Sequence, residues 1–312
     1  MDLAVITVSY NTRELLADCL ESVLAGLELS ELAGEVWVVD NASADGSAEM
    51  VQRRFPQVRL IAHDDNLGFA AGNNLALETM GFGTHSSPRH VLFLNPDTHV
   101  LGDALGVLAG FLDSTPKAGA AGARLQHGDG SFQHSAFAFP GLAQVFLDFF
   151  PIHHRLLDSP LNGRYSRKRY RGGEPFSVDH PLGAALMVRG ETLAQTGGFD
   201  ERFFMYCEEI DLCQRIKKAG WEIYCVPRAE IVHLVAQSTS QFGDRMYVAL
   251  WQSRFLLAEK HRSRTFGWAV RGLVRLGLWA ESRRAKAAHR RGEITAREME
   301  GWLAAYREVA NL

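Results

Sequence analysis

The sequence predicts an α/β protein with a largely parallel β-sheet and a helical C-terminal extension. Short β-branched runs alternate with amphipathic stretches in the first half of the chain, which is the pattern of strands joined by crossover helices. Polar residues follow four of these strands, and beyond Phe242 the chain becomes helical and basic. We therefore expect an α/β domain over residues 1–240 and a basic amphipathic helical extension over residues 241–312.

The elements follow from hydrophobic periodicity and from capping and turn residues. Strands are predicted at residues 3–8, 35–39, 58–62 and 90–94, and helices at residues 12–24, 47–55 and 72–80. Between residues 128 and 173 the periodicity fails, which predicts a long loop region with one short apolar helix at 142–150. A strand at 184–188, a helix at 208–219 ended by Gly220 and a strand at 221–226 are predicted after it.

Composition limits the function classes. The formal net charge is -3, which argues against a protein that depends on nucleic-acid phosphates. The 4 cysteines occur singly, without the spacing of metal-binding pairs, and favour a reducing, cytoplasmic location. The apolar run at residues 3–8 lacks a basic leader and a cleavage-like site, so we interpret it as a strand. No apolar stretch reaches the roughly 20 residues that cross a bilayer as a helix, so we expect any membrane contact to be peripheral.

Polar side chains follow the ends of four predicted strands. In open α/β sheets, ligands bind beyond the carboxyl ends of the strands. Any one of these segments could be an ordinary turn, because turns favour Asn, Asp, Ser and Gly; four together favour a binding site. Asp40 can accept a hydrogen bond from a base or a ribose, whereas Asp45 and Gly46 are better explained as a turn before the next helix. The four segments are Ser9-Tyr10-Asn11, Asp40-Asn41, Asn66-Leu67-Gly68 and Asn95-Pro96-Asp97.

The segment Asn95-Pro96-Asp97 has the chemistry of a metal site. A carboxylate beside a second oxygen donor can hold Mg²⁺ or Mn²⁺ and leave octahedral positions for phosphate oxygens. Pro96 restricts the backbone between the two side chains. A plain turn after a strand is the alternative interpretation.

Acidic residues are concentrated at the start of the predicted helix 208–219. The helix dipole favours carboxylates there, but Glu208 or Glu209 could equally be a general base toward an acceptor hydroxyl. Glu209 and Asp211 cannot share a helical face, so we expect them to have different functions. His233 follows the last strand in an apolar context, which is more typical of a core histidine than of a ligand. The polar residues 237–239 beside it could reach a phosphate.

From Val5 to about Thr239, the sequence resembles glycosyltransferase family 2, the inverting group with the GT-A fold, and in particular its rhamnosyltransferase-like branch. The order and spacing of the motifs carry the resemblance. They are VITVSYNT, VVDNASADGS, NLGFAAGNN, LFLNPDT, GAALMVRG, GGFDERFFMYCEEIDLCQRIKKAGW and IVH. The resemblance implies a Rossmann-like, mostly parallel central sheet flanked by helices.

The resemblance also implies roles for individual residues. Asn95-Pro96-Asp97 matches the DXD metal motif with Asn in place of the first acid, so Asp97 is expected to be the direct ligand and Asn95 to act through water. His233 matches a late metal-binding histidine. Glu208-Glu209 matches a Glu-Asp pair whose second acid is the base. Because Glu209 is longer than the Asp it replaces, either glutamate could be the base, and we favour Glu209. The remaining residues fall into two groups: a nucleotide pocket of Thr7, Tyr10, Asn11, Asp40, Asn66, Gly68, Asn74, Asn95 and Asp97, and an acceptor site of Gly183, Ala184, Tyr206 and Asp211.

The expected activity is inverting, metal-dependent transfer of a sugar from a nucleoside-diphosphate donor to an acceptor hydroxyl. Branch resemblance favours rhamnose from dTDP-rhamnose, with UDP-sugars next, and an acceptor on a saccharide or polyprenyl-linked glycan in cell-surface polysaccharide synthesis. A nucleotidyltransferase is one alternative, but the segment 9–13 lacks the glycines that hold a triphosphate. A non-catalytic nucleotide-sugar-binding protein is the other. It would not need both Asp97 and an acid at position 209, yet this chain has both.

The segment from Arg254 to Arg291 is strongly basic, with Glu259 and Glu281 as its only acids. Interleaved aromatic and aliphatic residues predict amphipathic helices that could lie on an anionic membrane at the inner face of the plasma membrane. Helices packed on the domain, or a homodimer contact, are the alternative interpretations.

Overall fold

The computed structural model describes residues 1–83, 87–234 and 243–312 and confirms the α/β fold class. The chain forms two compact units. The first comprises residues 1–138, 165–204 and 208–238, and the second comprises residues 139–164, 205–207 and 239–312. The second unit thus contains the C-terminal helices together with two segments from earlier in the chain. The predicted domain boundary after residue 240 lies outside the described residues and stays a prediction.

Strands carry most of the first unit. In chain order they are β1 (Leu3–Ser9), β2 (Gly34–Asn41), β3 (Arg59–His63), β4 (His90–Leu94), β5 (Thr98–Val100), β6 (Ala118–Gln126), β7 (Phe132–Gln133), β8 (Ala136–Phe137), β9 (Phe176–Ser177), β10 (His180–Pro181), β11 (Ala185–Arg189) and β12 (Glu222–His233).

Helices flank the sheet and form the C-terminal region. In chain order they are α1 (Arg13–Leu29), α2 (Ser47–Arg54), α3 (Gly68–Thr79), α4 (Ala104–Ser114), α5 (Leu142–Phe149), α6 (His154–Leu157), α7 (Arg167–Arg171), α8 (Gly190–Thr196), α9 (Glu208–Lys218), α10 (Gly243–His261), α11 (Arg264–Arg290) and α12 (Ala296–Asn311).

The central sheet has the strand order β3-β2-β1-β4-β11-β6-β12-β5. Strands β3, β2, β1 and β4 run parallel, as predicted, whereas β11 runs antiparallel to both β4 and β6, so the complete sheet is mixed. The carboxyl ends of the parallel strands meet at one edge, which brings the polar residues that follow them together.

Strand β6 was not predicted, because its sequence AGAAGARLQ has low β-propensity. Its small residues are required by neighbours that approach closely. A Cβ on Gly122 would lie 2.3 Å from Cβ of Pro181, and one on Gly119 would lie 2.7 Å from Cβ of Trp221. Close packing therefore selects small residues in a strand at the centre of the sheet.

Strand β12 is longer than the predicted strand at 221–226. Its pairing with β6 is interrupted between Val226 and Glu230, where Pro227 lies, and then resumes to Val232. Proline cannot donate to a ladder and is tolerated at such a bulge. The strand therefore continues past the proline and ends at His233.

The region from 128 to 173 contains more structure than the predicted loop. The short helix expected at 142–150 is confirmed as α5, but the short strands β7 and β8 and the helices α6 and α7 were missed. Tyr170 anchors α7, since it is buried and its hydroxyl accepts a hydrogen bond from the amide of Ala136 at 3.1 Å. These elements are too short to show periodicity.

The second unit has its own apolar core. Phe149 of α5 stacks on Trp251 of α10 with ring centroids 5.2 Å apart, and Val270 and Val274 of α11 join the same cluster. Helix α11 comes close to α5 at Gly277, where a Cβ would lie 2.2 Å from the Phe149 ring. Among the described residues, no helix combines the length and apolar character that a membrane span requires.

Candidate active site

The loops after β1 and β2 are fastened to each other at the carboxyl edge of the sheet. Asn11, at φ 52°, donates its backbone N–H to Ser43 Oγ at 2.9 Å and accepts the backbone N–H of Ala44 on Oδ1 at 2.8 Å. Arg13 donates its backbone N–H to Asp45 at 2.8 Å. Asp45 also accepts the backbone N–H of Ser47 at 3.0 Å, which supports its predicted role as a turn residue before α2. Tyr10 lies half-buried in the same loop.

Two buried polar oxygens at this edge have no hydrogen-bond partner among the residues that the structure describes. Asp40 accepts the backbone N–H of Ser43 on Oδ2 at 3.0 Å, while its Oδ1 and the hydroxyl of Thr7 are buried without a hydrogen bond to any described residue. Buried polar atoms are rarely left unpaired, because desolvation without a partner costs about 1–3 kcal/mol. Unpaired oxygens beside the strand ends are what a site for a polar ligand would show.

The start of α3 approaches the backbone closely at Gly68. Asn66 Oδ1 accepts the backbone N–H of Gly68 at 2.9 Å, and Asn41 donates its side-chain amide to the carbonyl of Gly68 at 3.0 Å. Gly68 has φ +81°, and a Cβ there would lie 2.4 Å from the carbonyl oxygen of Phe204. Both the left-handed backbone and the contact require glycine.

Asn74, which the sequence resemblance places in the nucleotide pocket, holds a neighbouring loop. Its Oδ1 accepts the backbone N–H of Phe199 at 2.9 Å, and its Nδ2 donates to the carbonyl of Phe199 at 2.8 Å and to Glu201 Oε1 at 2.9 Å. With both ends of the amide in use, the geometry favours a structural role. Nucleotide contact by Asn74 stays a prediction.

The turn after β4 is held from three directions. Asn95 donates its backbone N–H to the carbonyl of Ala184 at 2.9 Å, and its own carbonyl accepts the Thr98 hydroxyl at 2.7 Å. The Cys19 thiol lies 3.6 Å from the same carbonyl, and burial raises the pKa of Cys19 to about 12, so it remains a thiol. This rigid turn presents Asp97, which is buried.

Asp97 and His233 form a close pair. Oδ1 of Asp97 lies 3.4 Å from Nε2 of His233, and both side chains are buried. Strand β5 pairs antiparallel with the end of β12, which sets His233 opposite Thr98. The carbonyl of Asp97 accepts the backbone N–H of Leu234 at 2.9 Å. No group of three or more His, Cys, Asp or Glu side chains suited to a metal occurs in the described residues.

Glu208 and Glu209 begin α9 and are both buried. Burial raises the pKa of Glu209 to about 7, against the opposing effect of backbone N–H groups that include Gly183. Burial and the neighbouring charge of Glu209 raise the pKa of Glu208 well above its ordinary value. Oε2 of Glu208 has no hydrogen-bond partner among the described residues. Near neutral pH, Glu209 is therefore the carboxyl that is partly ionised.

Gly183 and Ala184 lie between Glu209 and the turn Asn95-Pro96-Asp97. A Cβ on Gly183 would lie 3.3 Å from Cγ of Glu209, and the next residue, Ala184, accepts the backbone N–H of Asn95. Adjacent Cα atoms are about 3.8 Å apart, so Glu209 and the Asn95 turn flank one short segment before β11. These two predicted parts of the site lie at the same edge of the sheet.

The other two residues assigned to the acceptor site have different surroundings. Asp211 is fully buried and pairs with Arg215, Nε to Oδ2, at 2.9 Å. Arg215 also donates to the carbonyls of Thr196 and Gly198 at 2.6 and 2.7 Å. This network favours a structural role for Asp211. Tyr206 belongs to the second unit and has φ 69°. Acceptor contact by either residue stays a prediction, and residues 237–239 lie outside the described part of the chain.

Sequence reasoning missed Gln133, whose Nε2 lies 3.1 Å from Nδ1 of His233. Gln133 falls in the region without periodicity, so no pattern pointed to it. Ser43 was noted only as part of a polar turn, although it donates to Asp40 through its backbone and accepts from Asn11.

Comparison of the fold with solved structures shows the GT-A architecture. The mannosyltransferase PcManGT from Pyrobaculum calidifontis, solved with GDP-Man and Mn²⁺, is similar with a TM-score of 0.55, at 17% identity over 98% of this chain and 84% of that one. GalNAc-T7 with UDP, GalNAc and Mn²⁺ is similar with a TM-score of 0.54, at 12% identity over 75% of this chain and 44% of that one. This is the fold of glycosyltransferases that use nucleotide sugars.

The sequence matches Glycosyl transferase family 2 over residues 4–165. The N-acetylglucosaminyl-diphospho-decaprenol L-rhamnosyltransferase of Mycobacterium tuberculosis is 32% identical over 289 residues, which are 88% of this chain and 91% of the relative. Rhamnosyltransferase WbbL of Escherichia coli K12 is 27% identical over 182 residues, 58% of this chain and 66% of the relative. The chain belongs to glycosyl transferase family 2, and its activity class is glycosyl transfer, not nucleotidyl transfer.

Proposed function

We propose that this protein is a metal-dependent, inverting rhamnosyltransferase that moves rhamnose from dTDP-rhamnose to a polyprenyl-linked glycan. A UDP-sugar is the second candidate for the donor. The single observation that carries the chemistry is the buried Asp97–His233 pair on the same sheet edge as Glu209. The relative named N-acetylglucosaminyl-diphospho-decaprenol L-rhamnosyltransferase supports the sugar and the lipid-linked acceptor. The relative named rhamnosyltransferase WbbL supports the sugar.

The donor set fits a divalent cation that also binds a diphosphate. Neighbouring ligands in an octahedral shell with bonds of about 2.1 Å are separated by roughly 3.0 Å, close to the 3.4 Å between Asp97 Oδ1 and His233 Nε2. Two protein donors leave coordination positions for phosphate oxygens. Asn95, half-buried on the same turn, would contribute through water. A bound Mg²⁺ or Mn²⁺ would supply neutralising charge to the departing diphosphate.

The protein's own groups would bind the donor and accept the proton. Thr7 and Asp40 offer unpaired buried oxygens to the nucleotide, and the fastened loops after β1 and β2 hold the pocket in shape. Glu209, held beside Gly183, takes the proton of the acceptor hydroxyl while the oxygen of that hydroxyl attacks the anomeric carbon. The raised pKa of Glu208 favours its protonated form beside Glu209. Direct displacement by the hydroxyl inverts the anomeric centre.

A thermal-shift panel tests the donor and the metal together. We expect dTDP and dTDP-rhamnose to stabilise the protein more than UDP or GDP does, and only with Mn²⁺. Ligand at about 100 times its dissociation constant stabilises by about 2.7 kcal/mol. Asp97→Asn should lose the metal-dependent part of the shift, whereas Gln126→Met on β6 should keep it. Equal shifts with and without Mn²⁺, or a larger shift with UDP, would contradict the assignment.

We also propose that this is a cytoplasmic protein whose α11 contacts the anionic inner face of the plasma membrane. Trp268, Leu276 and Trp279 on this helix are 71%, 52% and 58% exposed. Exposed cations lie on the same helical face, and Glu281, the one acid of α11, is paired with Arg284. Each cation near an anionic surface is worth about 1 kcal/mol, and tryptophan favours the lipid interface. The cations of this face are Arg275, Arg283, Lys286 and Arg290.

Flotation with vesicles tests this contact. Deletion after Arg254 would remove Phe255 and much of α11 from the core, so point variants are the sharper choice. The full chain should float with equal parts phosphatidylglycerol and phosphatidylcholine, and Trp268→Ser/Trp279→Ser should not. Trp302→Ser, an exposed tryptophan on α12, is the control. A double variant that still floats contradicts the proposal, and a dimer that the double variant loses would assign the face to a second copy instead.

A further inference from the structure

Gln133 is held beside His233 by the sheet itself. Strand β7 pairs with β6, Leu125 opposite Gln133, and β6 pairs with β12, Gln126 opposite Val232. The two side chains therefore lie on neighbouring ladders, with Nε2 of Gln133 3.1 Å from Nδ1 of His233. Backbone pairing with β6 therefore fixes the strand that carries Gln133 and the strand that carries His233.

In this arrangement the Gln133 amide donates to Nδ1 of His233. The proton of the neutral imidazole is then on Nε2, which lies 3.4 Å from Asp97 and can donate to it. This tautomer directs the Nε2 proton toward Asp97 in the absence of a cation, but it leaves Nε2 with no free lone pair for a metal. Meanwhile Oε1 of Gln133 is buried and has no partner within the described chain.

A half-turn of the Gln133 amide exchanges its oxygen and nitrogen within the same space. Oε1 then accepts a hydrogen bond from Nδ1–H, which gives the buried oxygen a partner and frees the Nε2 lone pair toward Asp97. Metal-bound histidines usually donate their second ring N–H to such an acceptor, which fixes the tautomer. By this rotation an amide can present either a donor or an acceptor to Nδ1, whichever the imidazole tautomer requires.

We propose that Gln133 is a positioning residue that selects the metal-binding tautomer of His233. It acts through the imidazole and touches neither the donor nor the cation. The proposal rests on the metal pair of the proposed function, and it assigns to Gln133 a part in cation affinity that an ordinary packing residue would not have.

Mn²⁺ affinity in the presence of dTDP, measured from the electron paramagnetic resonance of free Mn²⁺, tests the assignment without turnover. Gln133→Met keeps the length of the side chain and removes both polar ends, and should weaken Mn²⁺ binding at least fivefold; outer-shell partners typically contribute about 10- to 100-fold. Gln133→Glu keeps an acceptor for Nδ1–H and should stay within about threefold of the wild type, less than that outer-shell effect. Gln126→Met, one ladder position away, should have no effect.

A double-mutant cycle with His233→Ala separates positioning from packing. In the His233→Ala background, Gln133→Met should cause no further loss of Mn²⁺ affinity. A loss below fivefold in the wild-type background, an equal loss in both backgrounds, or a fivefold loss in Gln133→Glu overturns the proposal. If Gln133→Met does not fold, Gln133→Leu takes its place in the cycle, since it also lacks both polar ends. If Asp97→Asn binds Mn²⁺ as well as the wild type does, the metal pair itself is wrong, which is a different failure.

Nitrogen NMR of ¹⁵N-histidine-labelled protein gives a second readout. With Mg²⁺ and dTDP bound, His233 should carry its proton on Nδ1 in the wild type and in Gln133→Glu. At the same Mg²⁺ and dTDP concentrations, Gln133→Met binds the metal more weakly and should show a mixture of tautomers. A Gln133→Met protein with the same Nδ1–H tautomer as the wild type overturns the proposal. A wild type that keeps the proton on Nε2 shows instead that His233 is not a metal ligand, which is the failure of the metal pair.

Discussion

Replacing Glu209 by Gln should raise stability at alkaline pH while it removes activity. Burial raises the pKa of Glu209 to about 7 in the folded protein, compared with 4.5 when it is unperturbed. Below pH 4.5 the carboxyl is protonated in both states and costs nothing. Between these values the unfolded state releases the proton first, so stability falls as the pH rises, and above about 7 the cost is constant.

The size of the effect follows from the pKa difference. Each pKa unit corresponds to 1.36 kcal/mol, so ionising Glu209 in the fold costs about 3 kcal/mol above pH 7. Gln cannot ionise and escapes this cost. At roughly 2 °C per kcal/mol for a chain of this size, the melting temperature of Glu209→Gln should exceed that of the wild type by about 6 °C at pH 8 and match it at pH 4.5.

Melting curves from pH 4.5 to 8.5 provide the assay, with the exposed Glu300→Gln as the control. If Glu209→Gln and the wild type give parallel curves, Glu209 is not a buried acid of raised pKa and the reasoning is refuted. Activity gives a second test. Because the base must be ionised, kcat/KM of the wild type should rise with pH through about 7, and Glu209→Gln should lose at least about 100-fold.

Three further substitutions test the packing around the site and in the second unit. Gly68→Ala should lower the free energy of urea unfolding by at least about 2 kcal/mol, because φ is +81° and a Cβ would meet the Phe204 carbonyl. Gly83 has φ +91° and open space around it, so Gly83→Ala should lose only the energy of the left-handed backbone. Asp211→Asn should cost about 3 kcal/mol, because it leaves Arg215 without its buried partner, and should leave the KM for the donor unchanged. A smaller loss, no greater than that of the exposed Glu21→Gln, would contradict this role. Gly277→Ala should lower the melting temperature of the second unit through contact with Phe149, while Gly272→Ala on the same helix, with open space, should stabilise by up to about 1 kcal/mol.

The sequence indicated much of the parallel half of the sheet, because its signals are local. Strands β1 to β4 are short β-branched runs with turn residues after them, and the observed bounds differ from the predicted ones by at most two residues. Helix α9 and its end at Gly220, at φ +92°, follow from the same kind of signal. Parallel pairing then places the polar strand ends at one edge whatever the details of packing, so the location of Asp40 and Asp97 was predictable.

The tertiary structure alone decided the features that depend on long-range contacts. Strand β6 consists largely of small residues because Pro181 and Trp221 approach its Gly122 and Gly119 closely. These contacts join residues far apart in the chain, so no local stretch of sequence reveals them. The long-range ladder of β12 with β6 resumes past Pro227, which carries the strand on to His233.

What the sequence by itself determined was which residue types lie at the carboxyl edge of the sheet, since strand periodicity and turn chemistry are written in neighbouring residues. What only the tertiary structure decided was how those residues are paired. The 3.4 Å between Asp97 and His233, the amide of Gln133 behind the imidazole and the burial that raises the pKa of Glu209 all depend on segments far apart in the chain. The physical reason is that distance and desolvation are properties of packing, and packing joins residues that the sequence keeps apart.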